Sequence, residues 1–254
     1  GGERAMGAAA ASCVEGLRGP PPPKVPKSIV LKYFPIAGRA EPIRLAMMLG
    51  NLRYVDQRIP GPEWEEKHKA SMPYGQVPVL VVDGRNVCQT KAILRYVGKI
   101  AKYDGASLYP KDALVAAQVD ELLDAFDDLW ILLAPTYNIK DEAQKVASRR
   151  QLFEPGGSAT AKLEIFERML EGGDGFCVKE AGLSVADLMY FSFLSVIRSG
   201  FVDGLSPDLF QPFPNIMRHK EKIASIPEIR AYYEDAGRSN PHAVPYYEVF
   251  QPGK

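Results

Sequence analysis

The sequence predicts an α/β unit followed by an all-helical one. Strand and helix signals alternate up to about residue 103, whereas beyond Pro110 no alternating strand pattern of any length occurs and helix signals follow one another. A chain of 254 residues, at about 150 residues per domain, leaves room for one or two domains with a sizeable core.

The elements follow in order. Residues 1–27 hold five Pro and five Gly, a composition that cannot bury enough apolar surface to fold, and they read as a disordered arm. Glu3 and Glu15 count against a trimmed targeting peptide. Residues 29–34 form a short β-rich run, residues 40–49 a helix-period stretch stopped by Gly50 and Asn51, and residues 54–59 a second β-rich run. Strand, helix and strand within about 30 residues make a βαβ unit with parallel strands and a right-handed crossover.

A short helical segment at 64–70 comes next. Two strands at 79–82 and 86–88 flank Asp83-Gly84, a hairpin dipeptide, and are therefore antiparallel neighbours. Thr90 to Ile100 reads as a helix. This βαβ then ββα order is that of a thioredoxin-like domain spanning 28–103, with a linker at 104–110 and an all-helical domain with a C-terminal tail at 111–254. In that second domain helices are expected at 113–134 (stopped by Pro135), at 159–170 with Ser158 as N-cap, from Ser184 towards Phe201, from Pro214 and after Pro227.

Charge and cysteine usage exclude whole classes of function. Lys plus Arg and Asp plus Glu number 31 each, so no electrostatic footprint for nucleic acid or an anionic membrane exists. No run of eighteen apolar residues is present to span a bilayer. Cys13, Cys88 and Cys177 are odd in number and far apart, which fits a reducing, cytoplasmic compartment better than a disulfide framework. His68, His219 and His242 show no metal-ligand spacing, and no metal is expected.

Three places carry candidate chemistry. Tyr33 ends the first strand, where ligand sites form in open α/β sheets, although taken alone it reads first as a sheet residue with its hydroxyl in water. Gln76-Val77-Pro78 precedes the third strand; a cis-proline turn there would leave the Val77 backbone free to pair with an extended peptide, against the plain reading of a strand-entry proline. Gln89-Thr90 opens the next helix, with Thr90 placed to cap it and free backbone N–H groups placed to hold a carboxylate. Ser184 and Asp187 form a capping box, and Cys88 reads as a small core residue. Asp120, Asp124 and Asp127 share one helix side and read as a solvated face.

The stretches KYFPIAGRAEPIRLAMML at 32–49, SMPYGQVPVLVVDG at 71–84 and QTKAILRYV at 89–97 resemble the cytosolic glutathione transferases, most of all the sigma class. The likeness covers about residues 28–236. It implies that the Tyr33 hydroxyl hydrogen-bonds the glutathione sulfur and that Arg39 supports the thiolate. It implies that Trp64, Lys69, Gln76 and Val77 hold the glycyl and cysteinyl parts of glutathione, and Gln89 and Thr90 its γ-glutamyl end. Asp128 matches an aspartate that reaches glutathione on the other subunit of a homodimer.

A small hydrophobic electrophile would then lie against Phe34, Ile36, Trp130 and Leu133. The implied activity is glutathione conjugation of the detoxifying kind, with glutathione as co-substrate. A glutathione-dependent isomerase of the prostaglandin D synthase type is the first rival; Leu133-Ala134-Pro135 lacks the aromatic wall which that activity implies. A non-catalytic structural or binding protein of the same fold is the second.

Overall fold

A computed structural model of the chain describes residues 26–239. The expected disordered arm, apart from its last two residues, and the C-terminal tail lie outside the described residues. Lys27 and Ser28 donate their backbone N–H groups to the Asp83 carboxylate, 2.9 Å each, at the turn of the hairpin.

The first half is a four-stranded sheet in the order β2-β1-β3-β4, built from β1 (Ile29–Tyr33), β2 (Val55–Arg58), β3 (Val79–Val82) and β4 (Arg85–Cys88). β1 runs parallel to β2 and antiparallel to β3, and β3 pairs antiparallel with β4. Ile29, Leu31 and Tyr33 are buried and alternate with half-buried residues, so one face of β1 packs on α1 (Glu41–Leu49) and α2 (Thr90–Ile100). The other face is covered by the short turns at residues 61–71, under which Ile59, Met72 and Val79 form a small separate core.

α1 begins with Pro42 in its first turn and carries a fully buried Arg44. That guanidinium bonds Glu41 at 2.9 Å and Asp56 at 3.1 Å, and donates to the carbonyls of Ile36 at 2.8 Å and Phe34 at 3.4 Å. These anions hold its proton more firmly than an ordinary arginine's, against the opposing pull of burial. Arg44 therefore ties α1 and β2 to the loop that follows Tyr33.

The expected boundary between the first domain and the linker at 104–110 is spanned by a two-stranded hairpin, β5 (Lys102–Tyr103) and β6 (Ala106–Ser107), turned by Asp104 and Gly105 with positive φ. Two-residue strands are too short for periodicity to register. The second half is helical: α3 (Ala113–Leu133), α4 (Glu142–Phe153), α5 (Ser158–Met169), α6 (Val185–Arg198), α7 (Pro214–Ala224) and α8 (Pro227–Ser239).

Several expectations are corrected here. α4 escaped the sequence reading because its residues are mostly polar; Asp141 caps it by accepting from Gln144 N at 2.7 Å. α5 takes Gly157, not Ser158, as its N-cap, and α6 stops at Arg198, short of Phe201. Pro135 ends α3 as an α-helix, but a 3₁₀ turn over Ala134–Asn138 carries the chain on. The capping box at α6 forms as expected, with Asp187 accepting from Ser184 N and Oγ at 2.8 Å each.

The acidic side of α3 is not a solvated face. Asp120 meets Arg95 at 2.6 Å, Asp124 meets Lys91 at 2.9 Å, and Asp127 lies 3.4 Å from Lys91, so three carboxylates face two cations of α2 across the seam between the halves. Lys91 and Arg95 are one helical turn apart, as are Asp120 and Asp124, which lets the two faces pair in register. The apolar core also runs unbroken from Leu31 and Ile43 to Phe126, Tyr190 and Ile216.

Candidate active site

The site starts from a steric fact about the loop after β1. Gly38 adopts a left-handed backbone with φ of 46°, and a Cβ there would stand 2.6 Å from the Tyr33 hydroxyl. Only glycine leaves that space open. The Tyr33 ring is 6% exposed, and its oxygen accepts the backbone N–H of Arg39 at 3.0 Å. Burial pushes the phenol above its usual value, while the Arg39 N–H and the charges of Arg39 and Arg44 pull it down less strongly. The hydroxyl is therefore protonated at neutral pH. With Arg39 N–H occupying an acceptor position, its own hydrogen remains to be donated, although the buried Tyr33 is not among the residues that line the neighbouring cavity.

The Arg39 side chain turns to the helical half. Its guanidinium meets Asp127 at 2.5 Å and lies 5.7 Å from the centre of the Trp130 ring. Its charge is thus shared with a carboxylate, and the closest service it gives Tyr33 comes from its backbone.

A cavity of about 620 Å³ opens beside this loop, at the edge of the sheet. Phe34, Arg39, Trp64 and Lys69 line it, as do Gln76, Val77, Gln89 and Thr90, so eight of the residues singled out in the sequence surround one space. Phe34 packs edge-on against Trp64, with ring centres 5.3 Å apart. Lys69 is paired with Glu65 at 3.0 Å, one helical turn back. The Val77–Pro78 peptide is cis.

Gln89 has φ of 71° and ψ of 118°, a conformation that residues bearing a Cβ rarely adopt, and it occupies the N-cap of α2. Thr90 is the first residue inside that helix and not its cap, a correction of one position. The helix N-terminus with its free N–H groups still faces the cavity wall.

The remaining expectations divide. Asp128, expected to reach glutathione on another subunit, lies outside this chain's own cavity and pairs with Lys162 of α5 at 2.8 Å, while its neighbour Asp127 lines the wall. Leu133 is fully buried in the helical core, because the helical phase turns it away, and Ala134 takes the place at the cavity. Ile36 and Trp130 are half-buried; Trp130 packs on Phe193 at 5.1 Å and is held by Arg39.

Tyr137 is a residue the sequence reading missed. Half-exposed, it lies close enough to Tyr33 and Arg39 to interact with both electrostatically, while the buried Arg149 stacks 4.8 Å from its ring centre. Arg149 is fixed in turn by Thr136 Oγ1 at 3.0 Å and the Asp203 carbonyl at 3.1 Å. No local pattern marks Tyr137, since α4, which carries Arg149, was itself invisible.

Comparison with known proteins agrees with this geometry. The glutathione S-transferase N-terminal domain model matches residues 29–99, and the C-terminal domain model matches residues 127–236. The chain is 30% identical to glutathione S-transferase alpha M14 of Sus scrofa, over 84% of this chain and 90% of that one. It is 30% identical to the probable glutathione S-transferase 5 of Caenorhabditis elegans, over 82% and 96%.

Among solved structures it resembles a prostaglandin synthase D of Nilaparvata lugens with a TM-score of 0.72 at 28% identity, over 82% of this chain and 97% of that one. It also resembles a glutathione S-transferase of Necator americanus described as monomeric, with a TM-score of 0.66 at 27% identity, over 82% and 97%. These relatives support the family without singling out the sigma class. The chain belongs to the glutathione S-transferase family.

Proposed function

We propose that this transferase adds the glutathione thiolate to small apolar electrophiles, with Tyr33 as the residue that stabilises the sulfur anion. The observation that carries this reading is the buried Tyr33 hydroxyl, anchored by Arg39 N–H at 3.0 Å and given room by Gly38. A thiol with a pKa of about 8.5 is only a few per cent ionised at neutral pH, and lowering it by two units takes about 2.7 kcal/mol of preferential thiolate stabilisation. A hydrogen bond to a charged acceptor supplies much of that, and the N-terminus of α2 adds to it.

In this reading Gln76, Val77, Gln89 and Thr90 hold the tripeptide along the sheet edge, Trp64 and Lys69 close its glycyl end, and Phe34, Ile36, Trp130 and Tyr137 face the electrophile. A cytoplasmic location is supported by the free thiols of Cys88 and Cys177. Among the described residues no helix is long and apolar enough to cross a membrane. The homodimer in this reading rests on the family resemblance at Asp128. Sedimentation of the purified chain tests it, since a monomer at micromolar concentration rejects the dimer without touching the chemistry.

Tyr33→Phe keeps the ring and its packing and removes only the hydroxyl. The ultraviolet titration of enzyme-bound glutathione should then show its apparent pKa rising by about one unit or more, and turnover with a chloronitrobenzene acceptor at neutral pH should fall about tenfold or more while glutathione affinity persists. Equal titration curves and equal turnover in variant and parent would remove Tyr33 from this role. The isomerase reading draws on the likeness to the Nilaparvata lugens structure. A prostaglandin endoperoxide assay separates it from conjugation.

A further inference from the structure

The helical half holds a second large cavity, of about 700 Å³, which shares no residue with the one beside Tyr33. It lies between one side of α5 and the 206–213 segment that leads into α7, below the break between α4 and α5. That break is built on glycine. Gly156 turns the chain with φ of 82°, and a Cβ on Gly157 would stand 2.4 Å from the Leu152 carbonyl.

The floor of this cavity is apolar and its rim is charged. Phe153 and Leu163, 8% and 1% exposed, lie beneath it, and the half-buried Leu209 and Phe213 form the facing wall. A space of this size and lining suits a small molecule that hides most of its surface. Four ionisable side chains border it: Glu164, Glu167 and Arg168 from α5, and Asp208 from the opposite side. Glu167 is spent within the fold, since its two oxygens accept the N–H groups of Asn215 and Ile216 at the start of α7, at 2.9 and 3.0 Å. Glu164, Arg168 and Asp208 are exposed, and among the described residues none of the three has an ion-pair partner.

That balance selects the sign of a ligand. Arg168 can neutralise one carboxylate, and the other remains available. An anion in the cavity would meet one guanidinium and two carboxylates. A cation meets the two carboxylates, with the rings of Phe153 and Phe213 in the same lining to receive it.

We propose that this cavity binds a small organic cation, a single protonated amine carried on an apolar chain or ring. The apolar body lies against Phe153, Leu163, Leu209 and Phe213, and the ammonium group stays at the rim with Glu164 and Asp208. Because both carboxylates are exposed, the charge keeps contact with water and only the apolar body is desolvated. The site is separate from the chemistry assigned to Tyr33.

Octylamine is the probe, with octanol and octanoate as chains of the same length that are neutral and anionic at neutral pH. Each is titrated calorimetrically into the full-length protein, with S-hexylglutathione present throughout to fill the Tyr33 cavity. Octylamine should bind once per chain, about fivefold more tightly than octanol, with octanoate the weakest of the three. Salt at about 1 M should shrink the preference for octylamine over octanol. Glu164→Gln combined with Asp208→Asn changes two exposed side chains, leaves the fold intact and should bring octylamine down to the affinity of octanol. Octanoate binding as tightly as octylamine would overturn the proposal and give the cavity to anions held by Arg168. Unchanged octylamine affinity in the double variant overturns it by placing the amine elsewhere. One octylamine per two chains overturns it in favour of a contact between two copies of this chain, and so does the lack of any saturable octylamine binding in favour of an empty, solvent-filled groove.

Discussion

The two halves of the molecule bury polar side chains for different ends. In the α/β half the most buried charge is Arg44, and it spends its donors on backbone carbonyls of the loop that carries Tyr33. In the helical half Asp187 is just as buried, and it spends its acceptors on the start of α6 and on Cys177 N. Arg44 shapes a site, whereas Asp187 starts a helix. A variant that removes either ion therefore costs stability, but only the first should also cost catalysis.

The sharpest way to break this contrast is Arg44→Met. It leaves Glu41, 1% exposed, without its cation, and releases the Phe34 and Ile36 carbonyls; an unfolding free energy lower by about 4 kcal/mol is expected in chemical denaturation. Turnover per folded molecule should fall as well. Asp187→Ala removes the acceptor for Ser184 N, Ser184 Oγ and Cys177 N, and should cost about 2–3 kcal/mol with turnover per folded molecule unchanged. A turnover loss in Asp187→Ala matching that in Arg44→Met would erase the distinction.

Raising the pH should load the α/β half next. Burial and the nearby Asp56 push the Tyr54 phenol up to about 12, so between pH 10 and 12 the unfolded chain loses this proton while the folded one keeps it. Stability should accordingly be flat below pH 10 from this group and fall by about 1–2 kcal/mol across that interval. Melting curves and phenolate absorbance followed together check the sign. The smallest effect belongs to the seam: Lys91→Met, which deletes a half-exposed cation facing Asp124 and Asp127, should cost about 0.5 kcal/mol, less at high salt.

The same contrast explains what the sequence revealed. The α/β half was legible because its strands alternate, its turn at Asp83-Gly84 is local and its motifs are contiguous; β1 to β4, α1 and α2 lie within a residue or two of where the pattern puts them. Of the eight expected residues around the cavity, six lie in three short stretches, and Trp64 and Lys69 fall between them. What stayed hidden depends on partners far along the chain. The acidic side of α3 looks solvated until α2 is laid beside it, Leu133 looks available until the helix phase is fixed, and α4 has too few apolar residues to announce itself. Tyr137 belongs to the same kind, its place beside Tyr33 being a property of packing rather than of spacing.

The support beneath Tyr33 reaches further along the chain than the motif does. The Tyr233 hydroxyl donates to Glu41 Oε1 at 3.0 Å, Glu41 holds Arg44, and Arg44 holds the carbonyls of the loop, so two side chains relay from α8 to that loop. Tyr233 is polymerised 192 residues after Glu41. During synthesis the ribosome therefore emits every residue of the sheet-edge site long before the last strut of its framework. A nascent chain that stalls within α7 displays the whole cavity lining while Glu41 lacks its Tyr233 donor, so the framework of the loop is completed only with the emergence of α8.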